Sequence, residues 1–266
     1  MTRGPGPAPT LADFEAVMAE KGWVLFEGVL TGGQVAALAA DCERVHAICR
    51  RVQEKNGVAA DMEGAAHHVA GYGGPLDDFL AALPLSAFID RYFGGKWILL
   101  NYGAALHRPG VLNYTGKPHR DVRAFTGDYR LSLNMLVMLA DFTVETGATR
   151  ILSGSHRREA MPDPETFATG AEPILGKAGD VALFDSLAVH AAAPNRSGAA
   201  RPALTLCFGR PFMKPQMDWP RYLPAAFQAR MSDDVRQMMG FNARVATSLE
   251  EYYQPPERWT FKGDQR

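Results

Sequence analysis

Cysteine is scarce in this sequence: Cys42, Cys49 and Cys207 are the three in a chain of 266 residues. An odd number with no Cys-x-x-Cys spacing excludes a disulfide framework and a zinc knuckle. Reduced, mostly buried thiols in a cytoplasmic protein are the expectation. Charge of one sign is also lacking. The formal net charge is -1, and no basic block is present to track a phosphate backbone, so nucleic acid is not an expected partner. No apolar run reaches the roughly 20 residues of a membrane span. The opening "MTRGPGPAPT" has one Arg and no apolar stretch behind it, so neither a membrane anchor nor a signal peptide is expected.

What is abundant is apolar surface, 47% of the residues, enough for one large domain with a full core. Thr10 is placed to cap a helix running to Glu20. "GWVLFEGVL" (22–30) reads as a short strand. Val35, Leu38, Val45, Ile48 and Val52 recur at helical spacing, and Gly57 ends that helix. One or two shorter helices, broken near Pro84, precede Gly95. Beyond it, short apolar segments alternate with turn residues: "KWILLNYGAAL", "RLSLNMLVMLADF", "GATRILSG", "EPILG", "DVALFDSLAVHAA" and "RPALTLCFGRPF". This texture predicts a mainly β core, a sandwich or barrel. "HRREAMPDPETFATG" reads as a loop insertion, and "FQARMSDDVRQMMG" as a helix ending at Gly240. The expected layout is a single domain: a mostly helical cover over 1–95, a double-sheet core over 96–215 and a helical segment over 216–266.

"GKPHRDV" carries the most chemistry. Pro118 biases the residue before it to extended geometry, and in an extended chain residues i and i+2 share a face. His119 and Asp121 then point one way and Arg120 the other. An imidazole and a carboxylate can fill two adjacent corners of a metal's coordination sphere. Of the other histidines, His46 reads as a helix-face residue, and His67 and His68 as exposed in a Gly- and Ala-rich loop. His156 reads as a structural hydrogen-bonding residue, and His107 as a pocket candidate. His190 ends an apolar strand, where an unpaired polar group costs about 1–3 kcal/mol, so it is the candidate third ligand. Two His and one carboxylate with open positions suit a non-heme Fe(II) oxygenase. Arg201, eleven residues beyond His190, opens the next strand. Its guanidinium suits a carboxylate-bearing cosubstrate reaching from metal to Arg.

With these pieces in order, the chain resembles the phytanoyl-CoA dioxygenase family of Fe(II)/2-oxoglutarate oxygenases. "KGWVLFEGVLTGGQVAAL" is similar to the family's opening, "HRD" to its H-x-D, "ETGATRILSGSH" to its Pro-Gly-Ser-His stretch, and "GDVALFDSLAVHAAAPNRSGAARPAL" to the segment carrying the distal His and Arg. The resemblance spans roughly residues 10 to 215. It implies a double-stranded β-helix, the cupin-like jelly roll, with flanking helices. It implies Fe(II) on His119, Asp121 and His190, 2-oxoglutarate paired with Arg201, and O2 as oxidant. Family members often carry a hydroxyl two places after the distal His; here that residue is Ala192, and Asn134 is the candidate to help hold the cosubstrate. Related halogenases replace the carboxylate with Ala or Gly, so Asp121 disfavours halogenation.

The implied activity is hydroxylation of an unactivated C–H bond in a small polar metabolite or natural-product intermediate. Desaturation, epoxidation and ring formation use the same iron. Candidate substrate residues near the H-R-D segment and the end of the barrel are Asn113, Tyr114, Lys117, Arg123, Phe125 and Arg210, with His107 lining the pocket. Lys117, Arg123 and Arg210 together favour an acidic group on the substrate. Two rivals remain: a jelly-roll metalloenzyme that does not use 2-oxoglutarate, and a non-enzymatic jelly-roll binding protein. Oligomeric state is not legible.

Overall fold

A computed structural model describes residues 9–111 and 114–265. In chain order, helix α1 (Leu11–Lys21), strand β1 (Trp23–Phe26), α2 (Gly32–Lys55), β2 (Ala65–His67), α3 (Pro75–Ala81) and α4 (Ser86–Phe93) precede the core. Thr10 and Thr31 start α1 and α2 through capping boxes with Asp13 and Gln34, each satisfying backbone N–H groups that a helix start leaves unpaired.

The core strands follow: β3 (Ile98–His107), β4 (Ser132–Met138), β5 (Arg150–Ile151), and, after α5 (Pro164–Gly170), β6 (Glu172–Pro173), β7 (Val181–Asp185), β8 (His190–Ala191) and β9 (Arg201–Gly209). They form two antiparallel sheets, a six-stranded one ordered β1-β7-β4-β9-β3-β2 and a three-stranded one ordered β6-β5-β8. The sheets face each other as in a jelly roll without closing into a continuous barrel.

β4 shows why the core strands read as unbroken apolar runs: every one of its residues is buried. Leu133, Met135 and Val137 pack in the cluster that includes the helix residues Phe14, Leu38, Val45 and Ile89. Leu136 and Met138, on the other face, pack between the sheets with Phe142, Ile151 and Phe184. A strand covered on both sides has no reason to alternate.

Three sequence expectations need correction. The first 95 residues are more than a cover, because β1 and β2 pair with β7 and β3 and form the two edges of the large sheet. The supposed loop insertion holds a short 3-10 turn at Ser155–Arg157 and α5, which Asp163 caps by accepting from Thr166. The helix expected over 227–240 is broken into α7 (Ala225–Gln228) and α8 (Asp233–Met238), with α6 (Trp219–Tyr222) and α9 (Leu249–Tyr252) as further short helices on either side, numbered in chain order. Ser232 caps a new start within the expected helix. No helix among the described residues is long and apolar enough to cross a membrane.

Candidate metal and cosubstrate site

The H-R-D segment is extended but joins no regular strand. It is pinned to the small sheet by a reciprocal backbone pair: His119 N–H donates to His190 O and His190 N–H to His119 O, both at 3.0 Å. Asp121 N–H then donates to Ser186 O at 3.1 Å. As expected, Arg120 turns away. It is buried and donates to the carbonyls of Ser155, Arg158 and Glu159, tying the segment to the turn after β5.

His119, Asp121 and His190 each offer one ligand atom, and these atoms lie within 4.8 Å of one another. Asp121 Oδ1 is 3.6 Å from His119 Nε2, and Oδ2 is 3.7 Å from His190 Nε2. Both Nδ1 atoms face main-chain carbonyls, His119 that of Lys117 at 2.7 Å and His190 that of Ala188 at 3.0 Å. An Nδ1–H donated to a carbonyl leaves the lone pair on Nε2, the form a metal takes. Burial lowers the pKa of His190 and favours the neutral ring, with the Asp121 charge opposing. Phe184 meets the His190 ring edge-on at 4.9 Å.

Asn134 is engaged with the Asp121 carboxylate: its amide donates to Oδ2 at 2.8 Å. The sequence reading assigned this amide to the cosubstrate. In the fold its Nδ2 is directed at the Asp121 carboxylate.

Arg201 is 4% exposed. Its Nε donates to Thr146 O at 3.0 Å, its guanidinium stacks 3.7 Å from the Phe142 ring centroid, and its Nη1 has no partner among the described residues. Burial pushes its pKa down to about 9. A buried cation with an orphaned donor is poised for a carboxylate. Arg201, His119, Asp121 and His190 line one cavity of about 440 Å³. Thr149 lines it too. It directly precedes β5, whose Arg150 pairs with Ala191, so continuing that antiparallel register sets it opposite Ala192.

The expected substrate residues fare differently. His107 lines the cavity and donates from Nε2 to Ala193 O at 2.8 Å. Arg210 does not: its Nε donates to Arg130 O, it stacks on Phe93 and Tyr129, and it belongs to a separate surface groove. Arg123, Lys117 and Phe125 are not among the cavity-lining residues; the first two are exposed, and Lys117 contributes its carbonyl to His119. Asn113 lies outside the described residues, and of Tyr114 only the backbone, in a 3-10 turn, is described. His67, expected in an exposed loop, is half-buried on β2 and lines the cavity; His68 is half-buried against Trp219. Asn101 and Thr205 also line it. Period-2 alternation in "NYGAALH" and "RPALTLCF" puts them on the faces of His107 and Arg201, a signal present in the sequence.

The phytanoyl-CoA dioxygenase family model matches residues 18–203, which include the triad and Arg201. The chain belongs to the phytanoyl-CoA dioxygenase family. An uncharacterized protein of Mycobacterium tuberculosis is 31% identical over 255 residues, 92% of each chain. The solved structure of EctD from S. alaskensis with 2-oxoglutarate and 5-hydroxyectoine has a TM-score of 0.60 at 20% identity, covering 78% of this chain and 79% of that one. The epimerase SnoN in complex with Fe3+, alpha ketoglutarate and nogalamycin RO has a TM-score of 0.56 at 20% identity, covering 81% of this chain and 90% of that one. This member of the family is an oxidoreductase, an iron- and 2-oxoglutarate-dependent dioxygenase.

Proposed function

We propose that the protein hydroxylates an unactivated C–H bond of a small polar metabolite or natural-product intermediate. The observation that carries this is the pairing, in one cavity, of a His-Asp-His donor set with a buried guanidinium that has a free donor. In this reading His119, Asp121 and His190 hold Fe(II), and Asn134 fixes the Asp121 carboxylate. Arg201 takes the distal carboxylate of 2-oxoglutarate. The Thr149 hydroxyl stands in for the one that Ala192 lacks. Bound iron and 2-oxoglutarate supply the oxidising power, with O2 consumed and succinate and CO2 released. The chain itself orients the reactants and keeps them in a mostly apolar enclosure. With Asp121 occupying a coordination position, no halide site is opened, which favours hydroxylation over halogenation.

The test is a substrate screen read by succinate release, with mass analysis of the product. One added oxygen supports hydroxylation; a product that has only lost two hydrogens points to desaturation or ring closure. In His119→Ala and Asp121→Ala, substrate-stimulated succinate formation is expected to vanish; full turnover in either would remove that residue from the site.

A further inference from the structure

The large sheet's inner face near the metal is built mainly from small side chains. Ala65 on β2, Gly103 and Ala105 on β3, and Ala203 on β9 form a floor across three adjacent strands. Three polar groups break it, Asn101, Thr205 and His67, which pairs with Gly103 from β2. Asn101 pairs with Cys207 and Gly103 with Thr205, which makes Asn101 and Thr205 diagonal neighbours, about 7–8 Å apart in such a ladder. Asn101 Oδ1 is buried and has no partner among the described residues. A buried acceptor left unpaired is costly, so it calls for a donor from the cavity. Thr205 lies above Gly103 with room only because that residue lacks a side chain: a Cβ there would sit 2.9 Å from Thr205 Oγ1.

The cosubstrate does not account for this floor. Along β9, Thr205 is four residues from Arg201, and Cys207, opposite Asn101, is six; these are about 13 and 20 Å of extended strand, both longer than a five-carbon diacid. Thr205 is also a diagonal neighbour of Asn134, since β4 pairs Leu136 with Thr205 and Asn134 with Cys207. Anything held at Thr205 is therefore a short reach from the metal carboxylate.

Charge is excluded from the floor. Among the described residues, Arg201 is the one Arg, Lys, Asp or Glu from β2, β3 or β9 that lines the cavity, and in the reading above the cosubstrate uses it; burial holds His67 and His107, on the same strands, toward the neutral form. At the rim, Glu63 is paired with Arg50 at 2.9 Å and lies 3.6 Å from Arg108, and Lys214 stands exposed on the lip. A charged group set on the floor would be desolvated without a counter-ion, which is costly.

We propose that the substrate is an uncharged ring compound bearing hydroxyl groups, which lies on the small-residue floor and places one hydroxyl between Asn101 and Thr205. The hydroxyl donates to Asn101 Oδ1 and accepts from Thr205. This rests on the oxygenase reading above and names its substrate class.

The test uses full-length wild-type protein, loaded anaerobically with Fe(II) and 2-oxoglutarate, and matched cyclic polyols, their deoxy forms and their uronic-acid forms. Binding is read by ligand-observed NMR and turnover by succinate release. The polyols are expected to bind at least tenfold tighter than the matched deoxy and uronic-acid forms. Thr205→Val should erase that preference and Thr205→Ser restore it; Gly103→Ala should lose the polyols. Preference for the uronic acids, which would place Lys214 in the site, overturns the inference. So does loss of 2-oxoglutarate rather than polyol binding in Thr205→Val, or a wild type that binds cosubstrate and no polyol. A wild type that fails to bind 2-oxoglutarate overturns the oxygenase reading, and this inference with it.

Discussion

Arg201 and Asn134, both assigned to the cosubstrate from the sequence, sit in different surroundings in the fold. Arg201 is a buried cation with an idle donor. Arg201→Met is expected to raise the Kd for 2-oxoglutarate about 100-fold, in line with the ~2–5 kcal/mol lost when one partner of a buried charge pair is removed. Because it also removes an unpaired buried charge, the cosubstrate-free protein should melt no lower than wild type. Calorimetry with and without 2-oxoglutarate reads both effects. Asn134→Leu should instead weaken divalent metal about 10–100-fold, since its amide orients Asp121; metal titration distinguishes this from loss of the cosubstrate. That His119, Asp121 and His190 converge, with Arg201 in the same cavity, was legible because imidazole, carboxylate and guanidinium at those spacings have few other joint uses. Asn134 was legible as an inward-facing amide but not as the partner of Asp121. That neighbour is set by where the H-R-D segment crosses β4, a contact between segments rather than a property of either.

At the scale of elements, the anchor around Arg201 depends on a turn. Gly147 has φ +74, and a Cβ there would meet Ala193 O and lie 2.9 Å from both His107 Nε2 and Asn195 N. Its neighbour Thr146 supplies the carbonyl that holds Arg201 Nε. Gly147→Ala should therefore destabilise the fold by about 1–3 kcal/mol from backbone strain alone, seen in urea unfolding, and raise the KM for 2-oxoglutarate. Strand and helix positions were largely readable from apolar spacing and caps. Sheet membership was not: β1 and β2 pair with strands more than thirty residues away in sequence, and nothing local names such a partner. The same gap misplaced Arg123 and Arg210. Closeness in sequence to the H-R-D segment or to the end of β9 suggested the pocket, while the fold carries Arg210 to another groove. The usable signal was the two-residue alternation along β3 and β9.

For the whole molecule, burial lowers the pKa of His46, His67, His68, His107 and His156 from 6.5. As pH falls below 6.5 the unfolded chain takes up protons that the folded chain still refuses, so stability is full above that value and declines beneath it. Asp185 acts in the opposite sense. Burial raises its pKa from 3.8, and between that value and its folded one the native state is protonated first. The metal-free protein should show a falling Tm from pH 7.5 to 5.5 by scanning calorimetry; a level Tm would contradict the burial of these rings. The two backbone bonds between His119 and His190 carry a further consequence. The polypeptide holds the two backbones together, and main-chain carbonyls hold each ring at Nδ1, whether or not an ion sits there, so the cradle is ready-made and offers little means of sorting Fe(II) from Zn(II), Co(II) or Ni(II) by shape. Each should seat readily, and the protein's state in a cell would follow which ion reaches it first.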